Sequence, residues 1–206
     1  MAHIPNRLPN GSRISDAITI GVLAKSFPLQ RVKSVLVSTG KASLRERDLP
    51  AHVMVYYVMA MTLCMQSCCR EVLRWLLQGA QWLLGPELAY PVAGKSGISQ
   101  ARTRLGWEPL KQLHDEMMGP LARPQTRGAW YRHWRLVALD GSTREVADTA
   151  DNARSFGRPA GSRGAGGYPQ LRFVALVENG TPVLFGSRMG SYHTGEITLA
   201  KEVVAP

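Results

Sequence analysis

The sequence predicts an α+β protein, with a helical amino-terminal half followed by a half that contains a β-sheet. Two observations carry this prediction. Up to about residue 122 the apolar residues recur at helical spacing, whereas beyond residue 128 they form short runs typical of strands. Between the two patterns lies Arg123–Gly128, which combines proline and glycine and interrupts both. We therefore expect a helical domain over residues 1–127 and a second domain over residues 128–206.

The composition indicates a globular protein with a polyanionic partner. The chain has 206 residues, of which 45% are hydrophobic, so it is long enough and apolar enough to bury a core. Lysine and arginine number 25 against 15 acidic residues, which gives a net charge of +10. Such an excess is typical of proteins that neutralise phosphates, although other soluble basic proteins share it. Double-stranded DNA is the partner that we predict.

The expected location is the cytoplasm. The first twelve residues lack the charged segment, apolar core and cleavage site of a secretory signal. Cys64, Cys68 and Cys69 fall in one apolar stretch, and we predict that they are small buried residues in a reducing compartment. The uncharged stretch Val53–Cys69 is at the lower length limit for a membrane span and contains several polar residues, which favours a core helix.

The helical half divides at prolines and glycines. Residues 14–36 predict two short helices interrupted at Pro28, the second ending near Thr39–Gly40. Pro50 stands near the first position of the next helix, where its missing N–H costs nothing. We expect that helix to run through the uncharged stretch and on past Arg74 as one amphipathic helix. Gly85–Pro86 then ends the helical pattern.

Ser96–Ala122 predicts a pair of helices broken at Gly106. Arg102 and Arg104 lie on the first of them, which is compatible with a helix-turn-helix that reads DNA. A generic helical hairpin explains the same pattern, and both interpretations stay open.

In the second half, strands are predicted at Trp134–Leu139, Leu171–Val177 and Thr181–Phe185. Asn179–Gly180 predicts a tight hairpin between the last two strands. The helix that follows is predicted over Glu196–Val204. Between the first two strands lies a polar segment rich in glycine, proline and arginine, for which we predict no regular structure.

Asp140 directly follows the first predicted strand and is the candidate metal ligand. A strand that ends in a carboxylate holds a fixed negative charge at the rim of a sheet, although Asp-Gly is also a common hairpin turn. Glu145, Asp148 and Asp151 are near in sequence, and we interpret them as loop surface.

A basic loop is predicted downstream of these acids. Arg154, Arg158 and Arg163 lie in or beside a glycine-rich segment that can follow a DNA backbone or be a plain linker. Arg172, which interrupts the second strand, joins them as a candidate DNA contact.

Several motifs together resemble bacterial DDE transposases. The first is Leu139-Asp140-Gly141-Ser142-Thr143, and two more follow at residues 151–159 and 168–172. Upstream, residues 49–53, 70–76 and 96–102 resemble the amino-terminal domain of the insertion-sequence-four group of that class. Their order along the chain makes the resemblance more specific than any one motif.

The resemblance implies a fold and a chemistry. It implies an all-helical amino-terminal domain followed by the first three strands and first helix of a ribonuclease-H-like domain. In such transposases two aspartates and a glutamate hold two divalent ions, Mg²⁺ or Mn²⁺, and Asp140 would be the first aspartate. The other two acids are expected beyond Pro206, so we expect a truncated transposase.

The function implied is therefore DNA transposition, with DNA at transposon ends, a second copy or a full-length transposase as partners. Two alternatives remain. One is a catalytically inactive DNA-binding protein that inhibits transposition, and the other is a non-functional remnant.

Overall fold

The chain forms two compact units, Met1–Leu113 and His114–Pro206, in a computed structural model. The residues that the structure describes are 22–43, 49–84, 91–160 and 167–204. The fold is mixed, with helices in the first unit and both strands and helices in the second, which confirms the predicted α+β class. The predicted domain boundary at residue 127 stays a prediction.

Five helices are described between residues 29 and 117. They are α1 (Leu29–Ser38), α2 (Ala51–Leu63), α3 (Cys69–Leu84), α4 (Lys95–Leu105) and α5 (Glu108–Met117). The break between α4 and α5 lies at Gly106, as predicted, where φ is 70° and glycine avoids the strain of a side chain. The predicted end of α1 is confirmed too, because Gly40 has a φ of 68° and the N–H of Lys41 donates back to the carbonyl of Leu36.

Helix α2 is the centre of the first unit. It packs against α1, α3 and α4. Tyr57 is completely buried, and its hydroxyl donates to the backbone carbonyl of Cys69 at 3.1 Å. The neighbouring helices contribute their apolar faces: Val32, Val35 and Leu36 from α1, Val72, Leu73, Leu76 and Leu77 from α3, and Ile98, Ala101 and Leu105 from α4. Burying each large apolar side chain contributes about 1.5–3 kcal/mol to the free energy of folding, so this core is the main source of stability of the first unit.

The prediction of one continuous helix from Val53 past Arg74 is wrong. Helix α2 ends at Leu63, and residues 64–68 form a turn in which the N–H of Ser67 donates to the carbonyl of Cys64. The turn lets α3 fold back onto α2, which buries more apolar surface than a straight helix would. Cys68 and Cys69 are exposed there, so the prediction that all three cysteines are buried is also wrong.

The second unit is built on a three-stranded antiparallel sheet in the order β3–β4–β5. Its strands are β3 (Val137–Glu145), β4 (Gln170–Glu178) and β5 (Leu184–Ser191), and a small hairpin of β1 (Trp130–Tyr131) and β2 (Trp134–Arg135) precedes them. Helices α6 (Ala150–Phe156) and α7 (Glu196–Val204) follow β3 and β5 respectively.

One face of the sheet is covered by α7, which packs against β4 and β5. Val174 is completely buried on this face, and Leu199 is the buried residue of the helix. At Gly190 an added Cβ would lie 3.1 Å from the Leu199 side chain, so the absence of a side chain there permits the close approach. The predicted helix Glu196–Val204 is confirmed.

Two predicted strands have different bounds in the structure. The first was expected to end before Asp140, but β3 continues to Glu145, because β4 pairs with it along nine positions. The third was expected over Thr181–Phe185, but β5 begins at Leu184. The hairpin predicted between the last two strands is confirmed, but its connection covers residues 179–183 instead of Asn179–Gly180 alone.

The connection between β4 and β5 is longer than the two predicted residues, and two of its residues account for this. Pro182 has no N–H to donate to a β-ladder. The hydroxyl of Thr181 donates a hydrogen bond to the carboxylate of Glu178.

The polar segment after β3 was expected to be irregular, but it contains α6. The first turn of α6 is capped by the Thr149 hydroxyl, which accepts from the N–H of Asn152 at 3.2 Å.

In the parts of the chain that the structure describes, no helix is both long and apolar enough to cross a membrane.

Candidate functional site

Asp140 lies in the middle of β3, at an edge of the sheet. The carbonyl of Leu136 accepts from Asn179, and the N–H of Val146 donates to Pro169. Leu136 and Val146, which flank β3, both have even numbers. Since the residues of an antiparallel strand bond to the neighbouring strand alternately, the N–H and C=O groups of Gly141 and the other odd-numbered residues point away from β4, toward the free edge. The Asp140 carboxylate accepts from the N–H of Gly141 at 2.9 Å. The candidate metal ligand is therefore exposed and turned toward the open edge.

A second carboxylate approaches the same strand from the other side. An added Cβ at Gly141 would lie 2.5–2.8 Å from the carboxyl atoms of Glu196, so the Glu196 side chain lies against this glycine. Successive residues of a strand face opposite sides of the sheet, so Glu196 meets the strand on the face opposite to the one from which the Asp140 side chain starts. Sequence reasoning missed this approach, since Glu196 was identified only as the first residue of a helix.

The nearby acids do not complete a metal site with Asp140. Asp148 is paired with Arg158, and Asp151 is paired with Arg154 at 2.8 Å on the surface. Among the described residues, no group of three or more histidine, cysteine, aspartate or glutamate side chains could hold a metal ion. The residues described here therefore supply one exposed hard oxygen ligand, which is too few for a two-ion site.

Of the predicted DNA contacts, Arg102 and Arg104 are exposed on α4. Arg104 lines a pocket of about 440 Å³ within the first unit, together with Lys41 and the amino-terminal end of α2. There Lys41 lies 3.5 Å from Glu108. The pKa of Glu108 is lowered, mainly by a hydrogen bond from the residue's own backbone N–H and secondly by the positive charge of Lys41.

The other predicted arginines differ in their surroundings. Arg154 is exposed and paired with Asp151. Arg158 donates to the carbonyl of Gly167 at 2.6 Å in addition to its pairing with Asp148. Arg172 donates to the carbonyl of Thr194 at 3.1 Å and lies over the ring of Tyr192. Arg163 lies outside the described residues.

The structure also contains a feature that the sequence reasoning missed, a two-stranded hairpin over Trp130–Arg135 that we call the aromatic hairpin. Trp130 pairs with Arg135, and Tyr131 pairs with Trp134 across the hairpin. Tyr131 and Trp134 are 61% and 65% exposed. The available signal was the density of aromatic and basic residues just before the predicted first strand.

The aromatic hairpin is fixed at its base by an ion pair to a buried carboxylate. Glu178 is completely buried, and its carboxylate accepts from the backbone N–H groups of Leu121 and Ala122, each at 2.8 Å. Arg135 forms an ion pair with the same carboxylate, and its guanidinium lies 4.6 Å from the centre of the Trp130 ring.

Comparison with known proteins finds similarity to transposases. Residues 17–115 match the model for the insertion element 4 transposase N-terminal domain. The chain is 25% identical over 184 residues to "Transposase InsG for insertion sequence element IS4" of Escherichia coli (strain K12), covering 84% of this chain and 38% of that protein. It is 24% identical over 192 residues to "Putative transposase InsZ" of the same organism, covering 89% of this chain and 59% of that protein.

The chain thus spans less than two thirds of the length of either relative. No solved structure matches. The match of the helical part to the family model and the two transposase relatives agree with the resemblance drawn from the motifs, and together they support the insertion-sequence-four group of transposases as the family of this chain.

Proposed function

We propose that this chain acts in DNA transposition and binds double-stranded DNA at transposon ends. Three observations support the proposal. The matched family is defined by transposases, and both relatives are named as such. The net charge of +10 supplies the attraction to phosphates. The helical unit, finally, presents on its surface two arginines, Arg102 and Arg104, that have no carboxylate partner among the described residues.

The observation that carries the proposal is the exposure of Arg102 and Arg104 on α4, within the segment that matches the family. Among the described residues, neither side chain is paired with a carboxylate. By contrast, Arg154 and Arg158 each have an acidic partner. An unpaired guanidinium can contact a phosphate without first breaking an ion pair, so these two residues are the best candidates in the first unit.

Fluorescence anisotropy with a labelled duplex over a range of salt concentrations tests the proposal. Log affinity should fall linearly with log salt, with a slope of about −0.9 for each phosphate neutralised. Replacing Arg102 and Arg104 together by glutamine should reduce the magnitude of that slope by about 2. Lys201→Gln removes an exposed charge from α7 and is the matched control, with an expected change well below that. Absence of binding at low salt, or equal effects of the two replacements, would contradict the proposal.

For the second unit we propose the opening part of a ribonuclease-H-like catalytic domain, within residues 128–206. The antiparallel order β3–β4–β5 followed by α7 agrees with the three strands and one helix that the resemblance implies. The helical domain would then cover residues 1–127. Folding of a fragment of residues 1–127 on its own, seen as a cooperative thermal transition, would support this division.

Asp140 is proposed as a ligand for Mg²⁺ or Mn²⁺ in a complete catalytic site. Divalent ions in such sites activate the attacking oxygen and stabilise the leaving one. The residues described here contribute one carboxylate at the open sheet edge, so we derive no catalytic step for this chain. Asp140 would position an ion there, and the remaining ligands would have to come from other residues.

A second function is favoured by the same isolated carboxylate. A chain that binds transposon ends without a complete set of catalytic acids would occupy the site and inhibit a full-length transposase, either directly or as a mixed oligomer. Adding the purified chain to a transposition reaction distinguishes the two. Inhibition that depends on Arg102 and Arg104 supports this second function, whereas unchanged or increased strand transfer excludes it.

A further inference from the structure

The aromatic hairpin presents two aromatic rings side by side on one surface. Tyr131 and Trp134 are directly opposite each other in the antiparallel pair, which places their side chains on the same face with Cβ atoms about 4.5–5.5 Å apart. Both side chains are more than half exposed. The exposure of adjacent aromatic side chains to water is unfavourable, so such a patch indicates a surface to which a ligand or partner binds.

The opposite face holds the aromatic hairpin in place. The indole N–H of Trp130 donates to the carbonyl of Arg123 at 2.7 Å, and Arg135 lies over the Trp130 ring while it pairs with Glu178. One cross-strand pair is thus anchored to the second unit, and the other is displayed. The backbone that carries Tyr131 and Trp134 is therefore held before a ligand binds, which lowers the entropic cost of binding.

The turn between the two strands adds positive charge beside the rings. Arg132 lies 5.6 Å from the centre of the Tyr131 ring, and the His133 ring lies 4.8 Å from that of Trp134. Arg132 has a φ of 56°, a conformation that is uncommon for a residue with a side chain and that glycine or asparagine usually occupies at such turns. A strained arginine at an exposed turn points to a use for its charge.

The sequence around the aromatic hairpin contains no compensating acid. From Met118 to Leu139 there are four arginines and one histidine, and no aspartate or glutamate. Three of the arginines, Arg123, Arg127 and Arg132, are exposed. The aromatic surface therefore sits in a positively charged environment, which suits a polyanion that also carries flat apolar groups.

We propose that the aromatic hairpin binds unpaired bases of DNA, with Tyr131 and Trp134 stacking on the bases and Arg132 contacting the adjacent phosphate. This inference rests on the proposed DNA-binding function. It adds a distinct site in the second unit that prefers single-stranded or unpaired DNA. Stacking needs an exposed base face, and paired bases within a duplex have theirs covered by their neighbours.

The positive charge around the aromatic hairpin favours a nucleic-acid partner over a protein partner. Cores of protein interfaces are depleted in charged residues, whereas single-strand binding surfaces combine aromatic rings with arginines that follow the backbone. The arrangement of two rings with Arg132 beside them matches the second pattern. Association between copies of the chain remains an outcome that the experiment separates.

The test compares two labelled oligonucleotides, a fully paired duplex and an oligo(dT) strand, by anisotropy at one fixed salt concentration with the full chain. Tyr131→Ala and Trp134→Ala should each weaken binding to oligo(dT) by roughly 5- to 150-fold, the range found for loss of one stacked base. Binding to the duplex should change by less than about twofold. Trp134→Phe, which keeps a ring, should restore most of the affinity for oligo(dT).

Trp107→Ala is the matched control, since Trp107 is also 65% exposed but lies in the turn between α4 and α5. It should leave both affinities unchanged. Light scattering of every variant reports the oligomeric state. Equal losses on both oligonucleotides, no loss on oligo(dT), or a change of oligomeric state in Trp134→Ala without a change in DNA affinity would overturn the inference while leaving duplex binding intact. A wild-type chain that binds neither oligonucleotide would overturn the proposed function as well.

Discussion

Arg135 and Glu178 form an ion pair in which the carboxylate is completely buried and the guanidinium is partly exposed. Glu178 also accepts hydrogen bonds from two backbone N–H groups and from the Thr181 hydroxyl. One carboxylate at the end of β4 thereby ties together the segment before the aromatic hairpin, the second strand of that hairpin and the connection to β5. Four donors converge on it, so its charge is well compensated despite its burial.

Glu178→Gln should therefore destabilise the protein strongly. The amide keeps the shape but removes the charge that compensates Arg135, and its NH₂ group faces donors instead of acceptors. We expect a loss of about 3–5 kcal/mol in the free energy of unfolding, measured by urea denaturation. Asp151→Asn is the control, because Asp151 also pairs with an arginine but is 87% exposed, so its loss should be about 1 kcal/mol or less. Similar losses for the two variants would contradict this account.

The two glycines Gly180 and Gly141 should respond differently to alanine. At Gly180 φ is 88°, and an added Cβ would lie 2.7 Å from the backbone carbonyl of Arg127, which cannot move freely. We expect a loss of about 2 kcal/mol or more, since the strain and the contact add. At Gly141 the added Cβ meets only the end of the Glu196 side chain, which can rotate away.

Thermal unfolding measures the difference between these two variants. Gly141→Ala should change the midpoint by no more than a few degrees, whereas Gly180→Ala should lower it several degrees further. If Gly141→Ala were the more damaging replacement, the Glu196 carboxylate would be held in place by something that this structure does not describe.

How much of this could be read from the sequence depends on whether a feature is local. Helix ends at Gly40 and Gly106 follow from a glycine preference for positive φ, and both were predicted. The turn at residues 64–68 was not, because an apolar run has no local signal that distinguishes one long helix from two packed ones. The burial of Glu178 depends on donors 56 and 57 residues away in sequence, so no pattern within β4 could have revealed it.

The candidate site divides in the same way. Asp140 was found because its strand and motif are contiguous, yet its position at an open edge depends on pairing with β4. The predicted roles of Arg154 and Arg158 considered only their charge, and the structure adds the acids with which they pair. The aromatic hairpin was missed because its strands are only two residues long, which is too short to show a period.

The exposed cysteines should react in the native protein. Cys68 and Cys69 are exposed at the start of α3, whereas Cys64 is half-buried. Titration with Ellman's reagent should show two thiols that react quickly under native conditions, and a third that reacts more slowly until denaturant is added. Cys68→Ser and Cys69→Ser should each remove one fast equivalent. Three slow thiols in the native protein would restore the expectation that all three cysteines are buried.

The stability of the first unit should fall at alkaline pH through Tyr57. Burial, followed by the hydrogen bond to Cys69, raises the pKa of Tyr57 well above its usual value, so the native state holds the phenol proton after the unfolded chain has lost it. Since the unfolded state then binds fewer protons, the contribution is fully present below about pH 10 and is lost as the pH rises beyond it. Urea midpoints at pH 8 and pH 10.5 measure this fall.

Tyr57→Phe should be less stable at pH 8, because the Cys69 carbonyl loses its donor, but its midpoint should fall less between the two pH values. Tyr131→Phe, on an exposed side chain, should show the same fall as the wild type. Parallel falls in the wild type and Tyr57→Phe would mean that another group, such as Tyr56, whose pKa is also raised by burial, accounts for the alkaline loss.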